Sequence, residues 1–162
     1  MVRVRGMWPL GLSLAVLVAA LDQLTKWVIL AVVMQPPRTI PVTPFFNLVL
    51  AWNRGISFSL FDNDSPAGPF LLAGFAGLIV LGLAWWLVRV DRPWPAVGIG
   101  LVMGGAVGNI IDRLRFGAVT DFLDFHLAGW HWPAFNLADT AITIGVALLV
   151  LDGLFDRPER AK

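Results

Sequence analysis

Four stretches of the chain are each long and apolar enough to cross a lipid bilayer, and nothing in the sequence limits the fold more. A spanning helix needs about 20 mostly apolar residues, and such stretches cover approximately residues 8–34, 69–90, 95–114 and 136–155. Inside a bilayer every backbone amide must find a partner within the protein, so helices are the expected form. Composition agrees: 57% of the 162 residues are hydrophobic and 14% are charged, against about 25% charged in soluble domains. Too few polar residues remain to cover an exterior facing water. The expectation is one integral membrane domain over residues 1–162, an all-α membrane core of four transmembrane helices.

Orientation follows from Lys and Arg near the helix ends. Arg3 and Arg5 precede the first helix, Arg89 and Arg92 occupy the short turn between the second and third, and Arg157, Arg160 and Lys162 follow the fourth. These share one side, which the positive-inside rule makes cytoplasmic, together with both termini. Lys26, Arg38, Arg54, Arg113 and Arg115 fall on the other side, several within polar clusters. The amino end also has the outline of a secretory signal with a cleavage site at Ala19-Ala20. Its apolar run continues to Met34, too long for a signal core, so a retained helix is expected.

The two long connections, residues 35–68 and 115–135, then lie outside the cytoplasm. Phe45 to Trp52 is an extended run, Asn53-Arg54-Gly55 a turn, and Ile56 to Leu60 alternates apolar and polar residues as a half-buried strand does. A small β-hairpin or cradle at the outer leaflet is expected. Residues 115–133 mix Phe122, Phe125, Trp130 and Trp132 with Asp121, Asp124 and His126, the pattern of a segment lying along the interface.

Several chemistries are excluded early. The chain has no Cys, which removes disulfides, thiolate metal sites and cysteine nucleophiles. Two separated His give little basis for a metal site, and no cofactor or metal is expected. A net charge of +1 provides no field for nucleic acid. Ser57, Ser59 and Ser65 lack a companion His pattern, and His126 and His131 read as interfacial side chains.

What remains is a set of ionisable groups in or beside the membrane, each costing about 2.5–3.5 kcal/mol on insertion scales unless paired or used. The topology gathers Asp22, Lys26, Asp112, Arg113, Asp121, Asp124 and Asp139 at one depth on the outer side. Asp22 and Lys26 stand four apart, acid before base, the order of a same-face ion pair, and read as structural. Gly100, Gly104 and Gly108 step along one face of the third helix and permit close helix approach. Asn109, Asp112 and Arg113 follow and must be satisfied in a tight place. Asn136 and Asp139 open the fourth helix as a cap and a first-turn acid. Two carboxylates about 3–5 Å apart share a proton, and the pair activates water without a covalent nucleophile. The residues alone do not choose between Asp112, Asp121 and Asp124 as the partner of Asp139.

The strings DQLTKW (Asp22 to Trp27), NRGISF (Asn53 to Phe58), GNIIDR with VTDF (Gly108 to Phe122) and FNLADTAITIG (Phe135 to Gly145) resemble the ordered motifs of the bacterial lipoprotein signal peptidases, the signal peptidase II family. They span all four helices and both outer connections, in order. The resemblance implies an aspartic endopeptidase of the inner membrane that cuts prolipoproteins before a diacylglyceryl-modified cysteine. It implies Asp121 and Asp139 as the catalytic pair, with Asn53, Gly55, Asn109, Asp112, Arg113 and Asn136 binding substrate or supporting the site. Asp22 and Lys26 are its first-helix polar elements. The family follows N-x-G with two small residues, where this chain has Ile56 and Ser57. The partners implied are the prolipoprotein and membrane lipids, with the chain acting as a monomer. The rival reading is a small proton-coupled transporter using the buried carboxylates, although the chain has no apparent inverted repeat.

Overall fold

A computed structural model of the protein describes residues 6–55 and 67–155. Four helices have the length and apolarity of membrane spans. Helix α1 covers Trp8–Val28 and continues as a single π-helical turn, Ile29–Val33; α2 covers Gly68–Leu87, α3 Pro93–Phe116 and α4 Leu137–Phe155. Strands β1 (Ile40–Thr43) and β2 (Phe46–Asn53) lie between α1 and α2, and β3 (Val119–Leu127) and β4 (Trp130–His131) between α3 and α4. Proline stands in the first turn of α1, α2 and α3, where its missing N–H would have had no helical partner. Helix α3 stops at Gly117, whose φ of 66° is the left-handed cap conformation.

The most apolar stretch of α3 is 67% buried, against 22%, 11% and 17% in α1, α2 and α4, so α3 is the central post. Its small residues explain this. A Cβ added at Gly104 would stand 2.6 Å from the Ala15 oxygen and 2.7 Å from Val18 Cβ, so α1 lies directly on this face. At Gly105, one residue round the helix, an added Cβ would strike the Ala138 oxygen of α4. Lipid tails are as apolar as side chains, so helix association depends on such close packing. Gly104→Ala is therefore expected to cost about 1–3 kcal/mol. Gly74→Ala on α2, where an added Cβ meets nothing, is expected to leave stability unchanged or slightly raised. Thermal unfolding of both variants in detergent checks the contrast.

At one end of the bundle the Met7 N–H donates to the Val90 oxygen at 3.0 Å, and Arg92 pairs with Asp152 at 2.6 Å. This gathers the start of α1, the α2–α3 turn and the end of α4. The basic residues Arg3, Arg5, Arg157, Arg160 and Lys162 lie outside the described residues. Outward-facing Phe75, Leu78, Leu81 and Leu154 are the apolar exterior that lipid requires.

At the other end the four strands form one antiparallel sheet in the order β1-β2-β3-β4. The extended run expected over residues 45–52 is β2, but its described neighbours are β1 and β3. The second hairpin strand expected over Ile56 to Leu60 lies outside the described residues. The segment expected to lie along the interface supplies β3 and β4 instead. Its first four residues, Val119 to Phe122, are buried on both faces, so the alternation that reveals a half-buried strand is missing. Phe122 packs with Ile29 and Met34 at the π-helical turn. The Phe135 oxygen accepts from the amides of Phe122 and Leu123 at 3.0 and 2.9 Å. Phe135 stands two residues before α4, so these two bonds place the Asp121 strand beside that helix's first turn.

Candidate active site

The polar centre sits where the far ends of α1 and α3 meet the start of α4 beneath β3. Asn136 and Asp139 form a reciprocal cap on α4: the Asp139 N–H donates to Asn136 Oδ1 at 3.0 Å, and the Asn136 N–H donates to Asp139 Oδ2 at 3.1 Å. The Asn136 side-chain amide is left free to reach across, donating to Asp121 Oδ1 at 2.7 Å and to Asn109 Oδ1 at 3.3 Å. Asn109 Nδ2 in turn donates to Asp139 Oδ1 at 2.9 Å. Asp121 and Asp139 are thus joined through the same two amide side chains. Asp121 is buried, at 2% exposure, whereas Asp139 is half-buried.

The two acids also sense each other. Burial pushes the Asp121 carboxyl from 3.8 up to about 6, and the charge of Asp139 pushes the same way. Hydrogen bonds from Asn53 and Asn136 and the charge of Lys26 oppose the shift. Asn53 faces Val119 in the β2–β3 register, which sets it diagonally beside Asp121 on the same face of the sheet. Its Oδ1 also accepts the Gly55 N–H at 3.0 Å. Gly55 has a φ of 124°, and a Cβ there would collide with Leu72 at the start of α2, so only glycine suits the turn.

Below this pair lies a second layer. Lys26 Nζ is 2.9 Å from Asp22 Oδ2 and 3.2 Å from Asp112 Oδ2, and it donates to Asn109 Oδ1 at 3.0 Å. Asp22, Lys26 and Asp112 are all buried. Arg113 extends from the same end of α3 and lies within electrostatic reach of Asp139, Asp121 and Asp112.

Asp124 belongs elsewhere. It accepts from Asn47 at 2.9 Å and lies 2.8 Å from His131 Nδ1, with the His131 ring stacked on His126. Bonds from Asn47 and His131 outweigh its partial desolvation and hold its carboxyl below the usual range. Of the three acids that the residues alone left open as partners of Asp139, the structure sets Asp121 beside it, Asp112 against Lys26 and Asp124 against His131. Among the described residues no group of three or more His, Asp or Glu is arranged to hold a metal ion.

Sequence reasoning missed Gln23, whose Nε2 donates to Asp112 Oδ1 at 2.9 Å and to the Gly108 oxygen at 3.2 Å. An amide side chain within a spanning helix needs a partner, and Gln23 stands beside Asp22 in the same polar turn of α1. It also missed Asn47, which nothing short of the strand register would pair with Asp124.

Fold and polar centre together define a class: a membrane-embedded enzyme with buried acids at the ends of spanning helices, roofed by a small sheet. The profile of the signal peptidase (SPase) II family matches residues 14–155. The lipoprotein signal peptidase of Rhodopseudomonas palustris (strain TIE-1) is 44% identical over 154 residues, covering 92% of this chain and 94% of its own. That of Nitrobacter hamburgensis is 47% identical over 160 residues, covering 94% and 97%. A bacterial membrane enzyme solved by the in meso method at 1.9 Å resolution superposes with a TM-score of 0.80 at 30% identity, covering 92% of this chain and 95% of that one. The chain belongs to the signal peptidase II family, and is a multi-pass membrane peptidase. The family match argues against the transporter alternative.

Proposed function

We propose that the protein is an aspartic endopeptidase that removes signal peptides from diacylglyceryl-modified prolipoproteins, with Asp121 and Asp139 as its catalytic pair. The observation that carries this reading is the bridge from Asn136 to both acids, 2.7 Å to Asp121 and reciprocal with Asp139. Asp139 accepts hydrogen bonds at both oxygens, the role of a carboxylate at a helix N-terminus. Asp121, raised to about 6, holds the shared proton.

A water between them gives a proton to Asp139 as its oxygen adds to the scissile carbonyl, while Asp121 protonates the carbonyl oxygen. Collapse of the resulting diol breaks the C–N bond. The leaving nitrogen takes a proton from the pair and departs as an amine, and the new carboxyl stays with the signal peptide. One water is consumed and the pair regains its single proton.

The substrate helix enters from the bilayer with its acyl chains still in lipid, where each buried CH₂ contributes about 0.8 kcal/mol. The active site faces the extracytoplasmic side of the inner membrane, both termini are cytoplasmic, and the chain acts as a monomer. Cleavage of a lipidated precursor peptide by the purified protein, beside the same peptide with an unmodified cysteine, tests the reading. Cleavage of the first and not the second is expected; failure to cut either, or equal cutting of both, contradicts it.

The raised Asp121 carboxyl gives a pH dependence. The singly protonated pair is the active form, so kcat/KM is expected to fall about tenfold per unit above an upper limb near pH 6. Bound substrate removes water and disfavours the second charge further, which sets the kcat limb higher. For stability the sign is the same. The folded protein keeps a proton on Asp121 that the unfolded chain releases near 3.8. This contribution is therefore full below about pH 4 and lost as pH rises to about 6. Rate profiles and thermal unfolding across this range measure the two effects.

A further inference from the structure

We infer that Asp22 and Asp112, tied together by Lys26, form a clamp that sets the separation of the two catalytic acids by holding the backbone amide immediately before each of them. Asp22 Oδ1 accepts the Ala138 N–H at 3.0 Å, and Ala138 precedes Asp139. Asp112 Oδ2 accepts the Thr120 N–H at 2.9 Å, and Thr120 precedes Asp121. The ammonium of Lys26 joins the two carboxylates, at 2.9 and 3.2 Å. Each catalytic residue is therefore one peptide away from an anchored amide, and both anchors converge on one nitrogen atom.

The parts are held firmly. Ala138 and Thr120 are at 0% exposure, Asp22 at 0%, Asp112 at 1% and Lys26 at 2%. Gln23 fixes the remaining oxygen of Asp112 at 2.9 Å. A Cβ at Gly108 would run into the Asp22 carboxyl, so α3 presses that side chain into place. A structural ion pair needs only charge complementarity. This arrangement adds a geometric result: β3 and the start of α4 already touch through Phe135 and the Asn136–Asp121 bond, and the clamp ties both of them to the α1–α3 post. Asp22, Asp112 and Lys26 are positioning residues in this scheme, since none of them needs to touch substrate.

The inference rests on the catalytic reading of Asp121 and Asp139, and its test separates the two. In Asp22→Asn the side chain keeps an oxygen for the Ala138 N–H; in Asp22→Ala that acceptor is gone. Displacing reacting groups by about 1 Å costs about 10²-fold in rate, so Asp22→Ala is expected to lose kcat by about that factor. Its KM should change little. Its upper pH limb should fall below that of the native protein, because acids that drift apart raise each other less. Asp22→Asn is expected to recover part of the loss, since its one oxygen can hold the Ala138 N–H while its amide nitrogen, facing Lys26, gives up the tie to the ammonium.

A backbone change keeps the question open if Asp22→Ala fails to fold. Replacing Ala138 by its α-hydroxy acid exchanges the anchored N–H for an ester oxygen and leaves every side chain unchanged. It is expected to reproduce the loss of kcat and the shift of the limb. Equal kcat in Asp22→Asn and Asp22→Ala, a loss confined to KM, or a limb unmoved by the ester would each overturn the clamp. If Asp121→Asn still cleaves, the catalytic reading itself fails. If Asp121→Asn is inactive while the ester protein is fully active, the clamp alone fails.

Discussion

Asp121→Asn and Asp139→Asn are each expected to lower cleavage of a lipidated precursor by about 10²–10⁴-fold, the range assigned to a positioned general acid or base. The two acids act on one water, so the double variant should be little worse than either single one. Both substitutions preserve volume, and an asparagine at 121 can still accept the Asn136 amide now bound at 2.7 Å. Removing a buried carboxyl also removes a desolvation cost, so the Asp121→Asn protein should be at least as stable as the native one. Single-turnover cleavage together with thermal unfolding measures both effects. Loss of activity through unfolding would leave the acids with a structural role only.

The second large effect concerns stability. Lys26→Met deletes the one ammonium shared by Asp22 and Asp112 and leaves two carboxylates buried at 0% and 1% exposure. Breaking a buried pair by removing one partner costs about 3–5 kcal/mol, because the remaining charge stays desolvated. Lys26→Met is expected to unfold well below the native protein in detergent. Adding Asp112→Asn should restore part of the loss by removing one of the two uncompensated charges. A Lys26→Met protein with native Tm would mean that water, not Lys26, satisfies these acids. The exposed Arg92–Asp152 pair offers a contrast, since such pairs contribute about 1 kcal/mol or less.

Much of this architecture could be read from the residues because the bilayer leaves few options. Four apolar stretches with acids at matching ends specify both the helices and the depth at which the acids meet. The cap at Asn136 and Asp139 was visible as a local pattern, and the i,i+4 spacing of Asp22 and Lys26 as a same-face pair. The sheet was harder. Burial on both faces hides the periodicity of Val119 to Phe122, and strand partners are set by contacts distant in sequence, such as Phe135 against Leu123. The same cause kept Asp121 and Asp124 indistinguishable without the resemblance. They lie three residues apart on one strand, which turns them to opposite faces, but only contacts distant in sequence show which face holds Asn136 and which holds Asn47 and His131. The hydrogen bonds to the Ala138 and Thr120 amides have no side-chain signature and could come only from coordinates.

Because the chain has no cysteine, the meeting of the two acids can be measured without background. The purified Asp121→Cys/Asp139→Cys protein, titrated with Cd²⁺ in detergent, is expected to bind one ion between its two thiolates. The thiolate-to-metal absorption of a bridged site should appear, and neither single variant should give it. A folded double variant whose two thiols react independently and share no ion would contradict the account.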